Sequence, residues 1–153
     1  MTIAPVSPSC DEACSLICEL DAEIAALYPG SPIHGIELAE FEKASGYFVI
    51  ARDADHAIGC GGFLPIDTDC AEIRRMFVRL DARRRGIARH ILRHLESEMY
   101  RRGFRSIVLE TGRDNSGARA LYESEGYSLI PSFFGCVGIP ISRCYYKGSQ
   151  PRQ

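Results

Sequence analysis

The chain has 153 residues, of which 46% are hydrophobic and 25% charged, and its formal net charge is −2. This suits one hydrophobic core of common domain size, and we expect a single domain over residues 1–148 with a flexible tail over residues 149–153. No apolar run reaches the roughly 18 residues of a membrane-spanning helix, and the N-terminal residues lack a signal-peptide pattern. The composition therefore argues against a membrane protein and predicts a cytoplasmic location.

The first part of the chain is predicted to hold a strand and two helices. Residues 2–6 suit a short strand. Ser9 and Glu12 have the spacing of a capping box, which predicts a helix that runs to residues 29–30. The apolar residues expected on its inner face are Ala13, Ile17, Leu20, Ile24 and Leu27. A loop that carries His34 then leads to a short helix over residues 37–44.

The rest of the chain alternates between strand-like and helix-like patterns. Residues 47–52 and 57–64 are predicted to be two strands joined by a turn, and residues 71–79 form a third. The helix predicted over residues 86–102 has one apolar face made of Ile87, Ile91, Leu92, Leu95 and Met99. A strand over 106–111, a helix over 117–125 and strands over 127–130 and 143–147 complete the pattern.

A basic turn between the strand at 71–79 and the helix at 86–102 predicts an anion site. The first N–H groups of a helix have no partner within the helix, and the helix dipole favours negative charge there. Gly86 allows close approach of the backbone, and the arginines that precede it add positive charge. The segment is neither a Walker loop nor a Gly-x-Gly-x-x-Gly turn. A phosphorylated cofactor is the expected guest.

The charged residues are unevenly distributed along the chain. Residues 1–72 hold thirteen acids against Lys43 and Arg52, whereas residues 73–105 hold eleven arginines against three acids. An arginine-rich block can indicate nucleic-acid binding, but interleaved aromatic residues are lacking and much of the block flanks the anion site. We therefore expect no nucleic-acid partner. The acidic first half suits a cationic amine substrate, and it suits a solvated surface equally well.

Seven cysteines, an odd number, favour reduced thiols over a disulfide framework. Cys10, Cys14 and Cys18 recur every four residues, but three thiolates along one helix fit tetrahedral metal geometry poorly. We expect small, partly buried side chains there and no metal. Cys136 and Cys144 are also predicted to be free thiols, although they could approach one another.

Two segments carry a resemblance to a known family. Residues 83–88 (RRRGIA) resemble the Arg/Gln-x-x-Gly-x-Gly/Ala pyrophosphate loop of the GNAT superfamily of acetyl-CoA-dependent N-acetyltransferases. Residues 115–127 are similar to the family's second cofactor motif, with the order Asn, Ala, Leu-Tyr, Gly-Tyr. The resemblance covers nearly the whole chain and is sharpest over residues 71–127. It implies an α/β (α+β) fold in which about four helices flank a mixed, mostly antiparallel sheet of about six or seven strands.

The resemblance also implies a cofactor and the residues that bind it. Acetyl-CoA is the expected co-substrate, and the pantetheine arm is expected between the strand at 71–79 and the next strand, where the two splay apart. The backbone N–H groups of Met76, Phe77 and Val78 are expected to hold the thioester carbonyl. The other expected cofactor-binding residues are Arg83, Arg84, Arg85, Gly86, Ile87, Ala88, Arg89, Asn115, Ala118 and Tyr122.

The expected reaction is direct attack of an amine on acetyl-CoA in a ternary complex. Tyr122 matches the family's general acid, and a phenol keeps its proton at neutral pH. Glu72 is the first candidate for the general base, Glu110 the second and His34 the third, although some relatives use a water chain instead. His34 and Glu110 are expected to bind the acceptor.

Several alternatives stay open at this point. Arg74 and Arg75 would equally suit acceptor binding, and Tyr122 would also suit a core position. A non-catalytic acetyl-CoA-binding or sensor domain on the same fold is the main alternative function. The acceptor is expected to be the amine of a small molecule or peptide, and the protein to be a monomer or homodimer.

Overall fold

A computed structural model describes residues 1–30, 38–131 and 142–148 of the protein. The elements in chain order are β1 (Thr2–Pro5), α1 (Asp11–Leu27), α2 (Leu38–Lys43), β2 (Tyr47–Asp53), β3 (His56–Pro65), β4 (Cys70–Val78), α3 (Ile87–Arg101), β5 (Ser106–Gly112), α4 (Ser116–Ser124), β6 (Ser128–Ile130) and β7 (Ser142–Gly148). The loop between β4 and α3 contains one short 3-10 turn, Leu80–Ala82. The expected tail at 149–153 lies outside the described residues, as does His34.

The strands form one sheet in the order β1-β2-β3-β4-β5-β7-β6. Every neighbouring pair is antiparallel except β4 and β5, which are parallel. The described residues thus contain a mixed seven-stranded sheet with four helices. The predicted fold class is confirmed.

The helices cover both faces of the sheet. On one face, α1 and α2 pack over a core that includes Leu16, Phe41, Phe48, Cys60 and Phe77. On the other face, α3 and α4 pack over a core that includes Ile91, Leu95, Met99, Leu109 and Tyr122. The five apolar residues predicted to line the inner face of α3 are all buried, as the helical spacing required. No helix among the described residues is long and apolar enough to cross a membrane.

The start of α1 differs from the prediction. The residue that caps the helix is Cys10, and no side chain bonds to the cap. Glu12 instead binds Arg52 on β2, with Oε1 2.6 Å from Nη2. The capping box of Ser9 and Glu12 is therefore wrong, because a partner distant in sequence takes the carboxylate that the box requires.

The inner face of α1 is mostly as predicted, since Ala13, Ile17 and Leu20 are buried. Leu16 is fully buried although the prediction missed it, and Leu27 is 49% exposed although it was expected to face the core. Leu27 is the last residue of the helix, where α1 no longer lies over the sheet core but borders a cavity. Ile24 is partly buried against the α1-side core, in agreement with the prediction.

The cysteines do not form one cluster. Cys10 and Cys14 are partly buried, Cys18 is exposed, and all three are free thiols. No group of three or more His, Cys, Asp or Glu side chains within the described residues is placed to hold a metal ion. Cys144 forms a disulfide, so its prediction as a free thiol is wrong. Seven cysteines leave at least one thiol unpaired, but this number does not exclude a disulfide at any particular cysteine. Cys136 lies outside the described residues.

Candidate active site

The central strands β4 and β5 diverge before β4 ends. Their parallel pairing runs from Cys70–Ser106 to Ile73–Leu109 and stops there, whereas β4 continues to Val78 on β3. The edge of β4 that faces β5 is therefore unpaired over its last residues. The sequence prediction that these two strands splay apart is confirmed.

A β-bulge lies in β4 at this opening. Between the pairs Gly62–Arg74 and Cys60–Phe77, β4 has two residues where β3 has one. The first of the two, Arg75, has a φ of 60° in the left-handed region. Its guanidinium Nη1 donates to Asp21 of α1 at 2.6 Å, which places the side chain on the α1 face of the sheet. The bulge therefore brings Arg75 to the same face as Arg74.

The bulge and the ladder also fix the direction of the backbone N–H groups. The Cys60 thiol on β3 donates to the Arg75 carbonyl at 3.4 Å, so the Met76 N–H of the same trans peptide points away from β3. The Arg79 N–H donates to the Ile58 carbonyl at 2.9 Å.

Bonded and non-bonded pairs alternate in an antiparallel ladder. Arg79 is bonded to β3, so Phe77, two residues earlier, is also bonded to its partner Cys60. Val78 lies between them, so its N–H points away from β3 and faces the opening. Of the three donors expected from sequence, Met76 and Val78 face the opening, and Phe77 faces β3.

A cavity of about 210 Å³ occupies this opening. α1, β4, β5, α4 and the first residue of β7 contribute to its walls. The residues that line it are Leu20, Ile24, Leu27, Tyr28, Glu72, Ile73, Arg74, Arg75, Met76, Leu109, Glu110, Thr111, Gly112, Asn115, Ala118, Tyr122 and Ser142. The structure thus brings together Glu72, Glu110 and Tyr122, for which acid, base or acceptor roles were predicted. The alternative acceptor-binding residues Arg74 and Arg75 line the same cavity.

Glu72 is a buried carboxylate in the cavity wall. It is 7% exposed and accepts a hydrogen bond from Arg74 Nη2 at 3.0 Å. Burial raises the pKa of Glu72, the Arg74 hydrogen bond and charge act in the opposite direction, and the charge of Glu110 raises it further. A carboxylate with a raised pKa is a stronger proton acceptor near neutral pH.

Glu110 lies on β5 beyond the last β4–β5 pair and is partly buried. The Ser142 hydroxyl of β7 donates to its Oε1. This hydrogen bond orients the carboxylate at the cavity wall, so Glu110 suits acceptor binding as well as the role of second-choice base.

Tyr122 of α4 is 5% exposed, and its ring makes an edge contact with Tyr127 at 5.7 Å between centroids. Burial raises the pKa of Tyr122, so the phenol stays protonated. No described residue forms a hydrogen bond with its hydroxyl, although the side chain lines the cavity. Tyr122 is thus a core aromatic that also lines the cavity, and its role as a proton donor stays a prediction.

The predicted phosphate loop connects β4 to α3. Gly86 caps α3 with a φ of 76°, and Arg84 also has a left-handed φ, of 64°. The first bond of the helix joins the His90 N–H to the Gly86 carbonyl at 3.1 Å. The N–H groups of Ile87, Ala88 and Arg89 therefore have no partner within the helix, which is the arrangement that binds an anion.

Most of the arginines at this loop are already ion-paired. The pairs are Arg83 with Glu23 of α1, Arg85 with Asp53 of β2, and Arg89 with Glu125 after α4. Arg83 Nε also donates to the Val78 carbonyl at 2.8 Å. Arg84 forms no ion pair with any described residue. These three arginines therefore connect the loop and the start of α3 to α1, to β2 and to the residue after α4. The run of basic residues alone did not indicate these partners.

Asn115 and Ala118 stand at the start of α4, on the cavity wall. The Asn115 side-chain oxygen accepts from the Ala118 N–H at 3.2 Å and so caps the helix. The cap holds the start of α4 at the cavity wall, and the binding of the cofactor by these two residues stays a prediction.

The sequence interpretation missed the wall that α1 supplies. Tyr28, just after α1, lies against Gly112, where an added Cβ would clash with its ring. Its hydroxyl accepts from the Asp114 N–H at 2.9 Å and so ties α1 to the turn before α4. Periodicity carries no signal for such a contact, because the partners are 86 residues apart.

Comparisons with known proteins agree with this geometry. The model of the acetyltransferase (GNAT) family matches residues 12–127. IAA acetyltransferase from Azospirillum brasilense is 36% identical over 130 residues, which cover 84% of each chain. The uncharacterized N-acetyltransferase YsnE from Bacillus subtilis is 32% identical over 121 residues, which cover 78% of this chain and 80% of its own.

Solved structures show the same fold at lower identity. An acetyltransferase from Streptococcus agalactiae superposes with a TM-score of 0.76 at 18% identity and covers 96% of this chain and 97% of its own. The predicted acetyl transfer from acetyl-CoA and the predicted N-acetyltransferase activity are confirmed. The chain belongs to the acetyltransferase (GNAT) family.

Proposed function

We propose that the protein acetylates the amine of a small molecule or peptide by direct attack in a ternary complex, with Glu72 as general base and Tyr122 as general acid. One observation carries this proposal: a buried carboxylate and a buried phenol line one cavity where β4 and β5 diverge. Acyl transfer to an amine needs a proton acceptor for the amine and a proton donor for the leaving thiolate. The cavity offers one group of each kind.

The residues around the cavity fit acetyl-CoA. A Cβ at Gly86 would meet nothing closer than His90 at 4.0 Å, so the backbone there is open to a phosphate. The N–H groups of the first turn of α3 are directed at the same place. When bound, acetyl-CoA supplies a thioester carbonyl that an amine can attack. The N–H groups of Met76 and Val78 face the opening, where they can donate to such a carbonyl.

Glu72 would take the proton from the amine. The raised pKa of its carboxylate brings it closer to neutral pH, where the carboxylate accepts protons more strongly. Arg74 holds the carboxylate in place through the bond from Nη2. Tyr122 would give its proton to the leaving thiolate, and its raised pKa ensures that the phenol is protonated beforehand.

The pH profile of Glu72→Gln tests the assignment of the base. Since the base must be deprotonated, kcat/KM of the wild type should fall as the pH drops through the pKa of Glu72, which lies above the ordinary 4.5. The variant should lose that acid limb and on the order of a hundredfold in kcat. Thiol release with a panel of amines measures both. If the limb persists in Glu72→Gln and disappears in Glu110→Gln, Glu110 is the base instead.

The remaining expectations from the sequence are part of the proposal. They are a cytoplasmic location, a monomeric or homodimeric state, a role without metal and without nucleic acid, and one domain over residues 1–148. The relatives carry the names of enzymes, which favours catalysis over a sensor role for this chain as well.

A further inference from the structure

Three arginines connect the β4 segment to α1 by ion pairs. Arg75 binds Asp21 with 2.6 Å between Nη1 and Oδ1, Arg79 binds Glu19 with 2.8 Å between Nε and Oε2, and Arg83 binds Glu23 with 2.7 Å between Nη1 and Oε1. These pairs look alike, but only the first arginine of the series lines the cavity. It is also the most buried, since its side chain is 11% exposed against 33% for Arg79 and 35% for Arg83.

The guanidinium of Arg75 has donors to spare. Its single hydrogen-bond acceptor among the described residues is Asp21, which binds Nη1. Nε is buried without a partner, and Nη2 bonds to no described residue. Nε is buried, so an acceptor in the cavity would bind the guanidinium at Nη2 rather than at Nε. A carboxylate at Nη2 would form a charge-assisted hydrogen bond.

Arg74 provides a second guanidinium beside the first. Its Nη2 bonds to Glu72 at 3.0 Å, while its buried Nε has no aligned acceptor although Glu72 Oε2 lies 2.8 Å away. Regular alternation along β4 would direct Arg75 to the opposite face of the sheet, and the bulge prevents this. Two guanidiniums and the two carboxylates of Glu72 and Glu110 therefore line one small cavity.

The part of the wall that α1 supplies is apolar. Leu20, Ile24 and Leu27 of this helix line the cavity. Leu27 is 49% exposed and so leaves apolar surface for a ligand at the cavity. The cavity thus offers acids for an ammonium group, a guanidinium donor for a carboxylate, and aliphatic surface for a side chain.

We propose that the acceptor is a free amino acid with an apolar side chain, whose carboxylate binds Arg75 and whose amine faces Glu72. This inference rests on the proposed function, because it names the acceptor of that reaction. An amine without a carboxylate would leave Nη2 of Arg75 without an acceptor.

The first test compares acceptors that differ in the carboxylate alone. Thiol release from saturating acetyl-CoA is measured with leucine, leucinamide and isoamylamine, and with the matching series from phenylalanine. We expect kcat/KM for each amino acid to exceed that of its amide and of its decarboxylated amine at least tenfold. The amide has the more readily deprotonated amine, so chemistry alone would favour the amide over the amino acid. The alkylamine is the most basic of the three, so the ratio of amino acid to amide is the decisive comparison.

The second test uses Arg75→Met with Arg79→Met as the matched control. Each variant removes one α1–β4 ion pair, but only Arg75 lines the cavity. In Arg75→Met, the ratio of kcat/KM for leucine over leucinamide should fall towards one. In Arg79→Met the ratio should stay at the wild-type value. If Arg75→Met does not fold, the comparison of amino acid and amide with the wild-type enzyme tests the proposal alone.

Failure of the amino acid acceptor and failure of the N-acetyltransferase activity give different results in these tests. Turnover of amide and amine as fast as of the amino acid overturns the inference and leaves the N-acetyltransferase intact. An unchanged ratio in folded Arg75→Met removes Arg75 from carboxylate binding. Absence of thiol release with every amine of a broad panel, including peptides and polyamines, contradicts the proposed function itself.

Discussion

Replacing Tyr122 with phenylalanine separates a catalytic hydroxyl from a structural ring. The ring is buried and packs against Tyr127 and Tyr145, so phenylalanine keeps the packing. The hydroxyl bonds to no described residue, so its removal breaks no hydrogen bond there. We therefore expect the free energy of unfolding to change by less than about 1 kcal/mol. We expect kcat to fall on the order of a hundredfold, because the leaving thiolate loses its acid.

A hundredfold loss corresponds to about 2.7 kcal/mol in the activation barrier. The loss should appear in kcat more than in KM, since the proton is transferred in the transition state. Steady-state thiol release with a good acceptor measures the rate, urea denaturation measures stability, and calorimetry measures acetyl-CoA affinity. Affinity should be unchanged.

Tyr127→Phe is the matched control. Its hydroxyl donates to buried Glu96 at 3.1 Å and does not line the cavity. We expect this variant to lose about 1–3 kcal/mol of stability and to keep its kcat. Full kcat in Tyr122→Phe, measured while chemistry limits the rate, would exclude this hydroxyl as the general acid. A large loss of stability in Tyr122→Phe with an intact rate would make its hydroxyl structural.

Three further predictions concern the phosphate loop and the outer face of α3. Gly86→Val should raise the Kd for acetyl-CoA at least tenfold in calorimetry, because a side chain strains a φ of 76° and obstructs the phosphate; unchanged affinity in a folded variant would contradict the phosphate site. Arg84→Ala should cost about 1 kcal/mol of binding and flatten its dependence on salt, and Arg85→Ala should do so less because Asp53 already pairs with Arg85. The bonds from Arg101 and Arg102 lower the pKa of Glu98 to about 2, so Glu98→Gln should cost about 1 kcal/mol of stability in urea at pH 7. This difference should shrink as the pH falls from 4.5 to 2, and an effect that is equal at both ends would exclude the ion pairs as its source.

The sequence predicted what depends on neighbours in the chain. The apolar stripe of α3 repeats at helical spacing, so its buried face could be identified without a structure. The strand, the basic turn and Gly86 are consecutive, and the free N–H groups of the next helix follow from them. Asn115 and Tyr122 share one short helix and reach the cavity together for the same reason.

What was missed depends on contacts between distant residues. Glu12 was assigned to a local cap, but Arg52 is 40 residues away and binds it bidentately. The bulge at Arg75 follows from one extra residue against β3, which the alternation of a single strand cannot show. Nothing in the sequence indicated that the loop arginines are ion-paired, because Asp53 and their other partners lie in distant parts of the chain.

The short β4–β5 ladder also has a mechanical consequence. Four residue pairs join a block of strands from β1 to β4 to a block of β5, β7 and β6, and each block comes from its own half of the chain. We expect amide exchange to show a boundary between two cooperative units at this seam. A ligand that lies across the seam makes contacts with both blocks and binds the open form weakly. Occupancy would thus join the two units, so that the protein unfolds more nearly as one body and resists heat more strongly while it holds its substrate.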